Sequence, residues 1–415
     1  GRHLGNAEIR ANGDSGNGRK FPGQRPISDG AVTIAETLRA AGYATGGFGK
    51  WGLGPSDSSG GPNRQGFDRF YGYNCQRNAH SYYPPFLDDD RGKDLINGNP
   101  VPGHRRKPEG EVTADDYRAE TYAPDRILEY DLKFLYAKHG KPFFLYLPFV
   151  EHHVEMQPPH EWIDRYPPEW DEDNGPYRGQ NGYLPHPRPR AGYAAMISDL
   201  DEHVGTILKR LDRAGLRDNT IVIFTSDNGT THPGRDPKFH IGGVDAGFFN
   251  SVGGLRGWKG SLYEGGIRVP AIVRWPGRVK PGTTSDTPSY FPDWFPTLGQ
   301  IAGAHLPAGL DGTDLSPVLT GGEIKRTKPM IWEFHGYGGQ IAVIDGPWKA
   351  IRRKVKSRNP GPWELYHLDD DRRETTDLAR IRPGKLSRLI RAYETDRTPN
   401  PMAPLPLYDL SLIHI

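Results

Sequence analysis

The sequence predicts an α/β fold with a doubly wound sheet, followed by a small C-terminal α+β subdomain. Apolar runs typical of buried strands alternate with segments whose apolar residues repeat at three- and four-residue steps, as in amphipathic helices. This alternation is typical of a parallel sheet that helices cover on both faces. After about Lys328 the pattern changes to short strands at close spacing with turns between them, which predicts the subdomain.

The first predicted helix and strand lie near the N-terminus. Thr33 and Glu36 have the spacing of a capping box, and the helix that they begin ends at Gly42. A short strand is predicted over Tyr43–Phe48. The long segment Pro55–Thr113, rich in Gly, Asn, Asp and Tyr, is predicted to be irregular, and loops of that length usually line a functional surface.

The other predicted elements continue the alternation as far as Lys328. They are the helices Thr121–Lys138, Met196–Leu211 and Asp293–Ala302, and the strands Phe143–Val150, Thr220–Thr225 and Ala271–Arg274. The first two of these strands are almost continuously apolar, so we expect both to be buried on both faces. The subdomain is predicted to contain the strands Met330–Phe334, Gln340–Ile344 and Trp348–Ile351 and the helix Lys385–Tyr393. The predicted domains are therefore 1–328 and 329–405.

Composition excludes several classes of protein. The 415 residues include 53 Lys and Arg against 51 Asp and Glu, a net charge of +2, so no charge imbalance indicates nucleic acid or a membrane surface. No apolar run reaches the roughly 18 residues of a membrane span. The single cysteine, Cys75, excludes a disulfide framework and a Cys-rich zinc site.

Polar residues follow three of the predicted strands. Lys50 follows the first strand, His152 and His153 follow the second, and Asp227 and Asn228 follow the third. In doubly wound sheets, ligands bind outside the carboxyl ends of the strands, where we expect these side chains to meet. Each residue also has an ordinary interpretation: an Asx turn at Asp227, partly buried histidines, and a solvated lysine.

The same residues, with Lys259 in the glycine-rich stretch 256–260, have a consistent chemistry. A carboxylate beside an amide carbonyl, as at Asp227 and Asn228, suits a hard cation such as Ca²⁺ or Mg²⁺. Two lysines and a histidine around a divalent ion make a site for a multiply charged oxyanion, such as sulfate or phosphate.

At this point the residues resemble a known family. The stretch Gly42–Trp51 resembles the second signature of the type I sulfatases, and the later blocks resemble the same family in the same order, closest to its bacterial arylsulfatase A-like members. These later blocks are Phe143–Val150 with His153, Ile221–Gly229, Leu255–Pro270, Asp286–Pro296, Asp311-Gly312 and Trp363–Leu378.

The resemblance implies a fold of the alkaline phosphatase superfamily and a sulfuric ester hydrolase acting on a small-molecule or carbohydrate sulfate ester. It implies that Asp227 and Asn228 are Ca²⁺ ligands (Mg²⁺ being the alternative), that Lys50 and Lys259 hold the sulfate and the nucleophile, and that His153 contacts the sulfate near the leaving oxygen. The nucleophile would be a formylglycine, made from Cys or Ser in a C-x-P-S-R motif by a formylglycine-generating or sulfatase-maturing enzyme. The implied location is periplasmic or secreted.

The chain departs from the family pattern in two places. The C-x-P-S-R motif is absent, and Gly1-Arg2 resembles the end of the stretch that follows it. We therefore expect the nucleophile and a first pair of metal-binding aspartates upstream, and a 415-residue chain that is itself inactive. Gly52 stands where the family commonly has a histidine; His80 or His232 could take that role, although loop histidines with local hydrogen bonds are the more ordinary interpretation.

Three further expectations complete the sequence analysis. Cys75 lacks the Pro and Arg of the maturation motif, so we expect a packing residue. The tail Leu410–Ile415 back-translates to a sequence compatible with a sequencing adaptor, which predicts that these residues are not native. The alternatives to a sulfatase are a phosphohydrolase or phosphonate hydrolase of the same superfamily, or a non-catalytic homologue.

Overall fold

The structure is a computed structural model that describes residues 1–10, 25–76, 78–98, 111–137 and 140–409. The described residues form two compact units. The central unit contains those of 13–219 and 233–249, and the C-terminal unit contains those of 1–12, 220–232 and 250–415. The domain limits predicted at 1–328 and 329–405 stay a prediction, and the predicted foreign tail Leu410–Ile415 lies outside the described residues.

The central unit is built around one five-stranded sheet with the strand order β4-β3-β2-β1-β5. Its strands are β1 (Ala44–Lys50), β2 (Arg69–Tyr73), β3 (Phe86–Asp89), β4 (Gly92–Leu95) and β5 (Phe143–Tyr146), and its α-helices are α1 (Ile34–Ala40), α2 (Ala123–Tyr136), α3 (His160–Ile163) and α4 (Pro189–Arg213). Strand β1 pairs in parallel with β2 and β5, whereas β2, β3 and β4 pair antiparallel.

Helices cover both faces of this sheet, as the sequence predicts. Phe70 and Tyr71 are consecutive residues of β2, so their side chains point to opposite faces. Phe70 packs in a cluster with Ala35 of α1, and Tyr71 packs in a different cluster with Phe134 of α2. The capping box at Thr33 is also present, with both of its hydrogen bonds. The predicted doubly wound α/β class is therefore confirmed.

Two predictions about this unit are wrong. The segment Pro55–Thr113 is not irregular throughout, because it forms β2, β3 and β4. The predicted strand over Phe143–Val150 ends at Tyr146, since Pro148 has no amide N–H with which to continue the ladder. Strand β5 is not fully buried, because it is the edge strand of its sheet: its first three residues are half-buried and Tyr146 is exposed.

The C-terminal unit contains a two-stranded and a four-stranded sheet. Its strands are β6 (Val222–Thr225), β7 (Ala271–Arg274), β8 (Met330–Phe334), β9 (Gln340–Asp345), β10 (Trp348–Arg353) and β11 (Trp363–His367), and its α-helices are α5 (Glu264–Ile267), α6 (Phe291–Ile301), α7 (Ser316–Leu319) and α8 (Pro383–Asp396). The expectation of a fully buried β6 is wrong, because this strand pairs antiparallel with β7 alone and is half-buried along its length.

The four-stranded sheet is antiparallel in the order β11-β10-β9-β8. Leu389 and Tyr393 of α8 pack in one buried cluster with Ile341 and Val343 of β9 and with Leu365 of β11. This arrangement of one helix on an antiparallel sheet confirms the predicted α+β architecture of the C-terminal part. Among the residues that the structure describes, no helix has the length and apolar content needed to cross a membrane.

Candidate active site

Lys50 is the last residue of β1, and its backbone is fixed at that point. Its amide N–H donates to the Pro148 carbonyl oxygen at 2.9 Å. The paired residues Gly49 and Gly72 have φ of +132° and +151°, which favours glycine. A Cβ on Gly49 would lie 2.3 Å from the Pro148 oxygen, and one on Gly72 would lie 2.0 Å from the Gly49 oxygen. The glycines therefore allow a close approach of three segments beside the half-buried Lys50.

His153 lies in the turn that follows β5. Its amide N–H donates to the Val150 carbonyl at 3.0 Å, and the buried Tyr82 hydroxyl lies 2.6 Å from the carbonyl oxygens of both Val150 and His153. The His153 Nδ1 atom lies 2.5 Å from the Val154 carbonyl oxygen. Because a carbonyl oxygen can only accept, Nδ1 carries the hydrogen of this bond. In the neutral ring, Nε2 is then the nitrogen that can accept a proton.

Two aromatic side chains contact the His153 ring. The His80 ring lies parallel to it, with ring centroids 5.1 Å apart and an interplanar angle of 9°. The Tyr183 ring meets both imidazoles edge-on, at centroid distances of 5.4 Å from His80 and 6.4 Å from His153. Of the two histidines named as alternatives for the role missing at Gly52, His80 thus contacts a predicted site residue directly.

A buried polar cluster lies two residues before His153. Glu151 Oε1 is 2.9 Å from His203 Nδ1, and His203 Nε2 is 3.0 Å from Asp125 Oδ1 and 3.6 Å from Asp199 Oδ1. Burial opposes the charge on His203, but the hydrogen bonds to Asp125 and Glu151 outweigh it and raise the pKa to about 10. Burial raises the pKa of Asp199 to about 7. The cluster ties α2, α4 and the turn after β5 together.

The turn Asp227–Gly229 follows β6 in the C-terminal unit. Ser226 Oγ donates to the Asn228 carbonyl at 3.0 Å, and the Gly229 amide donates to the Gly266 carbonyl at 3.1 Å. A Cβ on Gly229 would lie 2.0 Å from the Gly265 carbonyl oxygen. Glycine is therefore required here by the close approach of two backbones, which fixes where the Asp227 and Asn228 side chains begin.

The donor set of this turn fits the expected cation. Asp227 is exposed and Asn228 is half-buried, so one carboxylate and one amide oxygen are available on consecutive residues, and both are hard oxygen ligands of the kind that Ca²⁺ and Mg²⁺ prefer. Two groups of carboxylates and imidazoles elsewhere also have metal-compatible spacing, His3 with Asp311 and Asp396, and Asp125 with Asp199 and His203. Neither group contains a predicted ligand.

Lys259 lies beside this turn. Its amide N–H donates to the Thr230 carbonyl at 2.7 Å. Burial lowers the pKa of the Lys259 ammonium group, and attraction to Asp227 acts in the opposite direction. The structure therefore brings Asp227 and Lys259 together within the C-terminal unit. His232 Nε2 lies 3.0 Å from the Tyr337 hydroxyl in the same unit, a partner that is distant in sequence rather than local.

The predicted site residues thus form two groups. Lys50 and His153 lie in the central unit, while Asp227, Asn228 and Lys259 lie in the C-terminal unit. The joint action of the two groups in one site stays a prediction. The Glu151–His203 contact was not predicted from the sequence, because the spacing of Asp199 and His203, one helical turn apart on α4, indicates only the contact between those two residues.

Comparison with known proteins identifies the family. The sulfatase family model matches residues 10–304, and a model of the C-terminal region of N-sulphoglucosamine sulphohydrolase matches residues 254–384. The chain belongs to the sulfatase family. The chain is 33% identical to human arylsulfatase A over 338 residues, which cover 77% of the chain and 58% of that relative. The chain thus spans a little over half the length of this relative.

Solved structures share the fold. The crystal structure of Ps i-CgsB, also solved in complex with k-i-k-neocarrahexaose, matches with a TM-score of 0.69 and 24% identity, covering 92% of this chain and 79% of that chain. The phosphonate monoester hydrolase of Agrobacterium radiobacter matches with a TM-score of 0.54 and 18% identity, covering 95% and 85%. These likenesses confirm the expected alkaline phosphatase-like fold.

Proposed function

We propose that this protein hydrolyses sulfate esters, with a formylglycine supplied by a segment outside the 415 residues as the nucleophile. Membership of the sulfatase family supports the reaction class. The observation on which the proposal depends most is the bond from the Lys259 amide to the Thr230 carbonyl, 2.7 Å long, which places a lysine beside the turn that carries Asp227 and Asn228 and that a glycine contact holds in place. A cation ligand next to an ammonium group suits a doubly charged oxyanion such as sulfate.

Each residue has a role in the proposal. Asp227 and Asn228 hold Ca²⁺, which when bound supplies positive charge near the sulfate oxygens. Lys50 and Lys259 donate hydrogen bonds to the sulfate and orient it. Their positive charges stabilise the negative charge that develops on the sulfate oxygens in the transition state. In its imidazolium form His153 gives the proton on Nε2 to the leaving oxygen and becomes the neutral ring, while Nδ1–H stays bonded to the Val154 carbonyl.

A second function is favoured by one observation. A phosphonate monoester hydrolase shares the fold, and lysines and a cation bind phosphoryl oxygens as well as they bind sulfate oxygens. A phosphate or phosphonate ester is therefore the alternative substrate. The complex of Ps i-CgsB with k-i-k-neocarrahexaose supports a carbohydrate ester as one candidate within the proposed sulfatase function.

The test uses the protein extended upstream of Gly1 and co-expressed with a formylglycine-generating enzyme. We expect turnover of an aryl sulfate that requires Ca²⁺ and much slower turnover of the matching phosphate ester. Turnover of the phosphate ester alone would reject the sulfatase proposal in favour of the alternative. The 415-residue chain alone is expected to be inactive, and metal-dependent hydrolysis by it would place the nucleophile within the chain. The periplasmic or secreted location and the maturing enzyme stay predictions.

A further inference from the structure

We propose that His80 is a positioning residue of the sulfate ester site. It holds the His153 ring by stacking, so that Nε2 of His153 faces the leaving oxygen of the ester. The inference rests on the proposed function, and it assigns a role to a residue that neither the family match nor the sequence motifs assign. Its starting point is the parallel contact of the two imidazoles, 5.1 Å between centroids with 9° between planes.

Contacts on several sides restrict the orientation of the His153 ring. The bond from Nδ1 to the Val154 carbonyl fixes one edge of the ring, but this bond and the tautomer that it favours are lost if the ring is free to rotate about its Cβ–Cγ bond. A flat ring stacked on one face removes that freedom. The Tyr183 edge, 6.4 Å away at 77° to the His153 plane, restricts it from another direction.

The segment that carries His80 is itself fixed in place through Tyr82. His80 ends a short 3₁₀ turn, Asn78–His80, two residues before the buried Tyr82. Tyr82 is anchored at both ends to the segment that carries His153. Its amide N–H donates to Gln157 Oε1 at 3.0 Å, and its hydroxyl donates to the His153 carbonyl at 2.6 Å. The two imidazoles are therefore carried by segments that are locked together next to the stack.

The stacked pair of histidines is accessible to a ligand. His80 and His153 are both half-buried, so the pair is neither sealed in the core nor free on the surface. A stacked pair of this kind can present ring nitrogens to a ligand while its faces remain covered. Misplacement of a proton donor by about 1 Å can lower a rate by about 10²-fold. Loss of the stack is therefore expected to affect the rate constant for turnover more than substrate binding.

The experiment separates stacking from other roles of His80. His80→Phe keeps a flat ring without nitrogen atoms, His80→Ala removes the ring, and His80→Gln fills the volume without a ring. Nitrogen NMR of ¹⁵N-histidine-labelled 415-residue chain at pH 8.5 reports which nitrogen of His153 carries the hydrogen, and His153→Gln assigns its signals. We expect one tautomer, with hydrogen on Nδ1, in the wild type and in His80→Phe, and mixed tautomers in His80→Ala.

Two results overturn the inference: an unchanged His153 tautomer in His80→Ala, or a mixed tautomer in His80→Phe. If His80→Ala does not fold, His80→Gln takes its place with the same expectations. In the extended, matured enzyme, we expect kcat for an aryl sulfate to fall about 10- to 100-fold in His80→Ala with KM almost unchanged, and to stay within about threefold in His80→Phe. If the wild-type enzyme turns over no sulfate ester, the proposed function is rejected. The NMR result on His153 does not depend on turnover, so it tests the role of His80 separately.

Discussion

His153 in the central unit and the pair Asp227 and Lys259 in the C-terminal unit are held in place by different means. In the central unit, side chains position His153: the Tyr82 hydroxyl, the His80 ring, and the buried Glu151–His203 contact two residues away. In the C-terminal unit, backbone contacts position Asp227 and Lys259, through the approach of Gly229 to Gly265 and the bond from the Lys259 amide to Thr230.

This difference has a practical consequence. A site held by side chains is sensitive to the loss of a polar or aromatic partner, because the partner's removal leaves buried groups unsatisfied. A site held by backbone contacts is sensitive to the gain of a single methyl group, because a backbone cannot move aside as a flexible side chain can. Opposite kinds of substitution should therefore displace His153 and the pair Asp227 and Lys259.

The largest effect is expected from His203→Ala in the central unit. The substitution leaves Glu151 and Asp199 buried without their shared positive partner. Removing one member of a buried ionic cluster costs about 3–5 kcal/mol of unfolding free energy, which urea unfolding can measure. The control is His160→Ala, which removes an exposed imidazole from its contact with Asp115 and should cost less than about 1 kcal/mol.

The same variant gives a pH test with a definite sign. The pKa of His203 is raised from 6.5 to about 10, so its contribution is complete below pH 6.5 and is lost as the pH rises through about 10. The difference in stability between the wild type and His203→Ala should therefore shrink towards alkaline pH. A difference that stays constant from pH 6 to pH 10 would contradict an imidazolium at this position.

A smaller effect is expected from Gly229→Ala in the C-terminal unit. Its Cβ would lie 2.0 Å from the Gly265 oxygen, so one backbone must move, at a cost of about 1–3 kcal/mol. We also expect Ca²⁺ affinity of the extended protein to fall about tenfold or more, as when a supporting contact of a metal site is lost. The control is Gly384→Ala, where a Cβ meets no atom within 4 Å; equal effects of the two substitutions would refute the backbone argument.

Local sequence signals predicted much of the fold. The Thr33–Glu36 spacing identified the start of α1, the periodicity around Leu200 identified α4, and the strands β8, β9 and β10 were found almost to the residue. Strands β2, β3 and β4 were missed because their glycines and aspartates resemble those of loops. Gly72 shows why such residues occur in a strand, since a Cβ there would meet the Gly49 oxygen.

The candidate site was predictable only in part. Motifs identified Asp227 and Lys259, and the structure brings these two together. The contact between His80 and His153 could not be predicted, because it depends on Tyr82 joining two segments that are distant in sequence. The His203–Glu151 contact likewise depends on the packing of α4 against the turn after β5. No periodic pattern in the sequence predicts either of these two contacts.

We propose that both groups of residues act in one hydrolytic reaction. The direct measurement is kcat/KM for an aryl sulfate in the extended, matured protein with Lys50→Ala from the central unit and Asp227→Ala from the C-terminal unit. We predict that each substitution lowers kcat/KM by about 10²-fold or more, while the exposed controls Lys93→Ala and Glu323→Ala stay within about threefold. Full activity in either Lys50→Ala or Asp227→Ala would contradict the claim.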